Sequence, residues 1–86
     1  MSRYSVEFTT AAARQIRKLP PPIRARILTA AAALSDDPRP PGAKKLVGEQ
    51  TAWRIRVGDY RVLDDIEDEI LTITVVRAAH RREVYR

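Results

Sequence analysis

No cysteine occurs in this chain, which removes disulfides, thiolate nucleophiles and sulfur-ligated zinc or iron–sulfur sites together. Such usage fits a reducing cytoplasm. No apolar run approaches the roughly 18–20 residues needed to cross a bilayer. The first residues, MSRYSVEF, lack the apolar stretch of a signal peptide, so a soluble, unexported chain with no membrane partner is expected. Aromatic residues amount to only 6%, which leaves the core to aliphatic side chains and alanine. The sequence also lacks a glycine-rich phosphate loop, a Ser/His/Asp set and an HExxH-like metal motif. Any catalysis is therefore expected to run without a metal, a cofactor or a protein nucleophile.

What remains is a chain of 86 residues, read as one domain spanning 1–86. A domain of this size hides only about 60–65% of the surface its unfolded form exposes. A hydrophobic fraction of 44% with 31% charged residues describes a modest core under a heavily charged surface. Sixteen Lys and Arg against eleven Asp and Glu leave a net charge of +5, and the pI is near 10.2. That balance favours polyanions such as nucleic acid, or an acidic protein, without choosing between them.

Tyr4, Val6 and Phe8 alternate with Ser5 and Glu7, the period of a strand with one buried face, over residues 3–8. Thr9 or Thr10 can cap a helix running from Ala11 to near Leu19, rich in alanine and with cations in its last turn. Pro20, Pro21 and Pro22 stop that helix and start another, because a proline at the first helical position sacrifices no hydrogen bond. Ile23, Ile27, Ala30, Ala31 and Leu34 then form one stripe at helical spacing that ends before Asp36. Residues 35–50 hold three of the six prolines and two of the three glycines, which predicts an ordered loop with a short strand at Lys45 to Val47.

From Trp53 the period returns to two: Trp53, Ile55 and Val57 on one face, Arg54 and Arg56 on the other. Gly58-Asp59 predicts a tight turn, Tyr60 to Leu63 a second strand, Asp64 to Glu69 a solvated turn and Ile70 to Val76 a central third strand. Arg77 to Arg86 reads as a basic tail. The expected fold is α+β: an N-terminal strand, a helical hairpin and a three-stranded antiparallel meander, with both helices on one face of a small sheet.

If Trp53, Ile55 and Val57 pack under the helices, Arg54 and Arg56 lie on the uncovered face, and Arg61 can join them from the next strand. Guanidiniums gathered there can bind phosphate through paired, charge-assisted hydrogen bonds; equally, polar residues on an open face can simply keep it soluble. The tail adds Arg77, His80, Arg81, Arg82 and Arg86, with Tyr85 among them. A tyrosine beside guanidiniums can stack on a base while the cations hold its phosphates, or it can pack down as an anchor. Histidine is the residue type whose imidazole titrates near neutrality, which makes His80 a proton-transfer candidate or a surface residue of the tail. The acidic run Asp64, Asp65, Glu67, Asp68 and Glu69 would splay around a hairpin rather than converge on an ion, so no metal site is expected there. One reaction suits these limits: RNA cleavage in which the substrate's own 2′-hydroxyl attacks the adjacent phosphorus.

Trp53-Arg54-Ile55-Arg56, the Gly58-Asp59-Tyr60-Arg61-Val62 turn and strand, the apolar strand ending at Arg77 and the closing His80-Arg81-Arg82-Glu83-Val84-Tyr85-Arg86 together resemble the RelE/ParE superfamily of bacterial toxins, especially its RelE-like branch. The resemblance implies a cytoplasmic toxin that enters the ribosomal A site, cuts mRNA and is held inactive by a tightly bound antitoxin in a hetero-oligomer. By position it also implies that Arg54 and Arg56 contact the mRNA backbone or assist the 2′-hydroxyl, and that Arg61 stabilises charge on the scissile phosphate. His80 or Arg81 would supply the proton for the 5′-oxygen, and Tyr85 would stack on or orient the nucleotide. Arg77, Arg82, Lys44 and Lys45 are the further cations expected on RNA. Two other readings are a ParE-like inhibitor of DNA gyrase that cuts nothing, and a basic RNA- or antitoxin-binding module without catalysis.

Overall fold

The computed structural model describes residues 3–84, with side chains to Arg82. Strand β1 (Ser5–Phe8) leads into helices α1 (Thr10–Arg17) and α2 (Pro21–Ala33). Strands β2 (Lys44–Lys45), β3 (Ala52–Val57), β4 (Tyr60–Glu67) and β5 (Thr72–His80) follow, and a short helix α3 (Arg81–Val84) closes the described chain. The five strands form one sheet in the order β1-β5-β4-β3-β2. All neighbours are antiparallel except β1, which runs parallel to β5.

Local chemistry accounts for the helix ends. Thr9 caps α1 by accepting the Ala12 backbone N–H on its hydroxyl at 3.0 Å. Pro20 precedes α2, whose first turn is built on proline, as the sequence predicts. Ala12 and Ile16 of α1, with Ile27, Ala31 and Leu34 of the second helical stretch, pack on Ile55, Val57, Val62, Ile66, Ile73, Val75 and Ala78. Both helices thus cover one face of the sheet, leaving the other to carry the arginines. Among the described residues no helix is long and apolar enough to cross a membrane.

The strands depart from the sequence-based boundaries in ways that shape the site. Strand β4 does not end at Leu63 but runs on to Glu67, and the turn moves to Asp68–Ile70, where Leu71 takes a left-handed conformation at φ 50. A bulge permits this: Leu63 pairs with Arg77 and Asp64 with Val75, so Val76 is the extra residue and the ladder resumes in register. Asp64 is consequently not part of a solvated turn; it is 1% exposed, on the helix-facing side. Strand β5 likewise continues past Val76 to His80, because Tyr60 to Leu63 offers it a pairing edge. The short strand predicted at Lys45 to Val47 forms at Lys44–Lys45 instead, and Val47 is fully exposed.

Strand β1 was expected to bury Phe8, which is 38% exposed. It lies at the sheet's edge and ends at Phe8, opposite Val75. Beyond that point the outer edge of β5 needs other partners, and α1 supplies one: the Ala78 N–H donates to the Gln15 side-chain oxygen at 3.0 Å. No local pattern in the sequence marks Gln15 for this role.

Candidate nucleic-acid interface

Cross-strand register builds the site in two rows, since directly opposed residues of an antiparallel pair share a face. The first row is Lys44, Arg54, Leu63 and Arg77, one residue from each of four strands. The second is Arg56, Arg61 and Ala79. Both stand on the face away from α1 and α2, because Ile55, Val57, Val62 and Ala78, which alternate with them, belong to the core. Lys44, Arg54, Arg56 and Arg61 line a common cavity with Gly42 and Ile55.

Arg61 differs from its neighbours in being only 8% exposed, and Ala79 opposite it is 6% exposed. Helix α3 packs against β4 and β5 and is tied to the preceding turn by the Arg81 N–H, which donates to the Asp59 carbonyl at 2.8 Å. Arg56 is exposed, but its Nε donates to the Gly58 carbonyl at 3.1 Å, which ties the base of the guanidinium to the turn. Gly58 itself sits at φ 59, and a Cβ there would lie 3.3 Å from the Arg26 guanidinium. The left-handed conformation of the turn that spaces Arg56 from Arg61 therefore favours glycine.

The structure separates some residues that the sequence grouped. Lys45 pairs with Trp53 and points to the helix-facing side, away from Lys44. His80 pairs with Tyr60, which pairs with Val57; this row also lies on the helix-facing side. The His80 and Tyr60 rings meet edge to face at 5.4 Å between centroids. Arg81 and Arg82 are exposed on α3. Tyr85 and Arg86 lie outside the described residues.

A second cluster of charge occupies the opposite end of the sheet. Arg39 donates two hydrogen bonds to Asp68, at 3.2 and 2.9 Å, and the Tyr4 hydroxyl donates a third at 2.7 Å. These bonds, the one from Arg39 foremost, hold the Asp68 carboxyl below the ordinary carboxylate range. The Arg39 guanidinium also lies 5.0 Å over the Trp53 ring. Asp64, across from Trp53, has no hydrogen-bond partner on either carboxyl oxygen. Burial, with the Asp65 charge adding to it, pushes its pKa from 3.8 up to about 7. Among the described residues no three His, Cys, Asp or Glu side chains converge as a metal site.

This chain, a five-stranded sheet with two helices on one face and arginines on the other, is a toxin of the type II toxin–antitoxin kind by the family model that matches it. It belongs to the RelE/ParE superfamily, the family model described as "ParE toxin of type II toxin-antitoxin system, parDE" matching residues 6–85. Within that superfamily the solved structures it resembles include RelE toxins. It is 40% identical over 87 residues to Toxin RelG of Mycobacterium tuberculosis, covering 96% of this chain and 97% of that one. It superposes with a TM-score of 0.80 on a chain of the M. tuberculosis toxin–antitoxin complex RelBE2, at 40% identity over 92% of this chain and 99% of the other. The archaeal RelE–RelB complex of Pyrococcus horikoshii gives a TM-score of 0.82 at 25% identity, over 92% and 96%.

Proposed function

We propose that this toxin is a ribosome-dependent mRNA endonuclease of the RelE type, cytoplasmic and held inactive by a cognate antitoxin. The observation that carries the reading is Arg61: a guanidinium only 8% exposed, opposed to Arg56 and sharing a cavity with Arg54 and Lys44. A guanidinium presents paired N–H donors in a fixed planar fork that suits phosphate oxygens. A phosphate passing to a doubly charged pentacoordinate state is an anion of matching geometry.

In the proposed reaction the 2′-hydroxyl attacks the adjacent phosphorus and the bond to the 5′-oxygen breaks. The products are a 2′,3′-cyclic phosphate and a free 5′-hydroxyl. Arg54, Arg77 and Lys44 hold the backbone across the sheet, Arg56 lies by the attacking oxygen, and Arg61 takes the charge that develops on phosphorus-bound oxygen. Arg81, on α3, sits at the leaving-group end, with Tyr85 to stack on the nucleotide and Arg82 as a further backbone contact. Lys45 is left to contacts outside this face. RelE toxins of M. tuberculosis and P. horikoshii are found in complexes with RelB, which supports an antitoxin of that kind as the partner here.

The test adds the purified chain to programmed ribosomes carrying a defined mRNA and maps the new 5′ ends, with bare mRNA and Arg61→Ala as controls. Cuts that require ribosomes and vanish in the variant are expected. Absence of cutting together with blocked gyrase supercoiling would overturn the nuclease reading in favour of a ParE-like inhibitor.

A further inference from the structure

His80 occupies the residue before α3, and its Nδ1 accepts the backbone N–H of Arg82 at 3.3 Å. That is the geometry of an N-cap, whose side chain takes the amide of the second helical residue. The first amide is already held, by the Asp59 carbonyl. These two bonds satisfy half of the four N–H groups that the start of a helix leaves open. Accepting on Nδ1 places the ring proton of the neutral imidazole on Nε2. The ring is further fixed by its edge-to-face contact with Tyr60, and the Val57–Tyr60–His80 row stands on the side of the sheet opposite the Arg56–Arg61–Ala79 row.

We infer that His80 is a positioning residue, the N-cap of α3, which acts through the helix to hold Arg81 at the arginine face rather than exchanging a proton with RNA. A proton donor must come within about 3 Å of the leaving oxygen, and an imidazole anchored at Nδ1 to its own helix and packed on Tyr60 is turned from the face where Arg56 and Arg61 stand. The inference rests on the proposed nuclease reading only for its functional consequence; the cap itself is a property of the fold.

Three substitutions separate the roles. His80→Asn retains an acceptor at the position of Nδ1 and is among the preferred N-caps. His80→Gln carries its acceptor one bond further out, where Nε2 stands, and His80→Ala has none. Amide exchange at Arg82 and cleavage on programmed ribosomes are measured for each, with β4–β5 amides reporting the fold. In the wild type and in His80→Asn the Arg82 amide should be protected, with cleavage rates within about threefold of each other. In His80→Gln and His80→Ala that protection should be lost and cleavage should fall about five- to tenfold, with the β4–β5 amides unchanged.

A fall of roughly 10²-fold or more in His80→Asn, as large as in His80→Gln, is the signature of lost proton transfer and would overturn the inference. Equal cleavage by all four proteins would overturn it as well. If the wild type cuts nothing, the nuclease reading fails by itself. The exchange measurement then decides alone, and an unprotected Arg82 amide in the wild type would refute the cap.

Discussion

Among the described residues two charged side chains are buried, Arg61 and Asp64, three positions apart on the same strand and on opposite faces of it. Arg61 opens onto a cavity among other cations. Asp64 faces the apolar core with neither carboxyl oxygen hydrogen-bonded and answers burial by holding its proton to about pH 7. One buried charge stands beside other cations at the edge of a cavity; the other is neutralised by burial, at a cost to the fold. Regular alternation along β4 makes both placements, since residues three apart on a strand face opposite sides, while the bulge at Val76 lets β5 follow β4 past Asp64. Burial alone therefore does not identify a functional charge; the neighbours it is buried among do.

The sharpest break in this comparison is Arg61→Ala, expected to lower ribosome-dependent cleavage by on the order of 10²- to 10³-fold, the scale of losing one electrostatic partner of a transition state. Far-UV circular dichroism and antitoxin binding should be unchanged, and a matching loss of fold would place Arg61 with Asp64 as a structural charge. Asp64→Asn should do the reverse. A carboxyl whose pKa is raised on folding, here from 3.8 to about 7, contributes full stability below pH 4 and loses it as pH rises toward 7. Denaturant titrations should therefore find the variant more stable by on the order of 2 kcal/mol at pH 8, with the difference vanishing near pH 4 and cleavage kept.

Gln15→Ala sharpens the contrast between a buried polar group with a partner and one without. Removing the acceptor of the Ala78 N–H should destabilise by about 1–2 kcal/mol in the same titrations. The smallest effect belongs to Asp68, an exposed carboxylate whose pKa is lowered by Arg39 and then Tyr4. A lowered pKa contributes stability above the ordinary value of 3.8 that is lost as pH falls below it. Asp68→Asn should therefore flatten only the acid end of the stability profile, opposite in sign to Asp64, and salt should blunt the difference.

Much of this was legible in the sequence where the cause is local. The Thr9 cap, the proline start of α2, the stripe from Ile23 to Leu34 and the Gly58-Asp59 turn follow from dihedral preference and side-chain period within a few residues. Alternation likewise put Arg54 and Arg56 on one face, and pairing across a two-residue turn added Arg61. Residues 64–67 read as a turn because three of the four are acidic and carry no strand signal of their own. Their pairing with Thr72 to Val75 holds them extended.

Chain order and residue type by themselves determined an α+β domain with a helical hairpin and an arginine-bearing strand pair, since period, capping and turn chemistry act over one or two turns of chain. Tertiary structure alone decided that β1 closes the sheet parallel to β5, that Lys45 and His80 turn away from the arginine face, and that Arg61 and Asp64 are both buried. Each depends on register between segments distant in sequence, and a single bulge residue inverts every side chain beyond it.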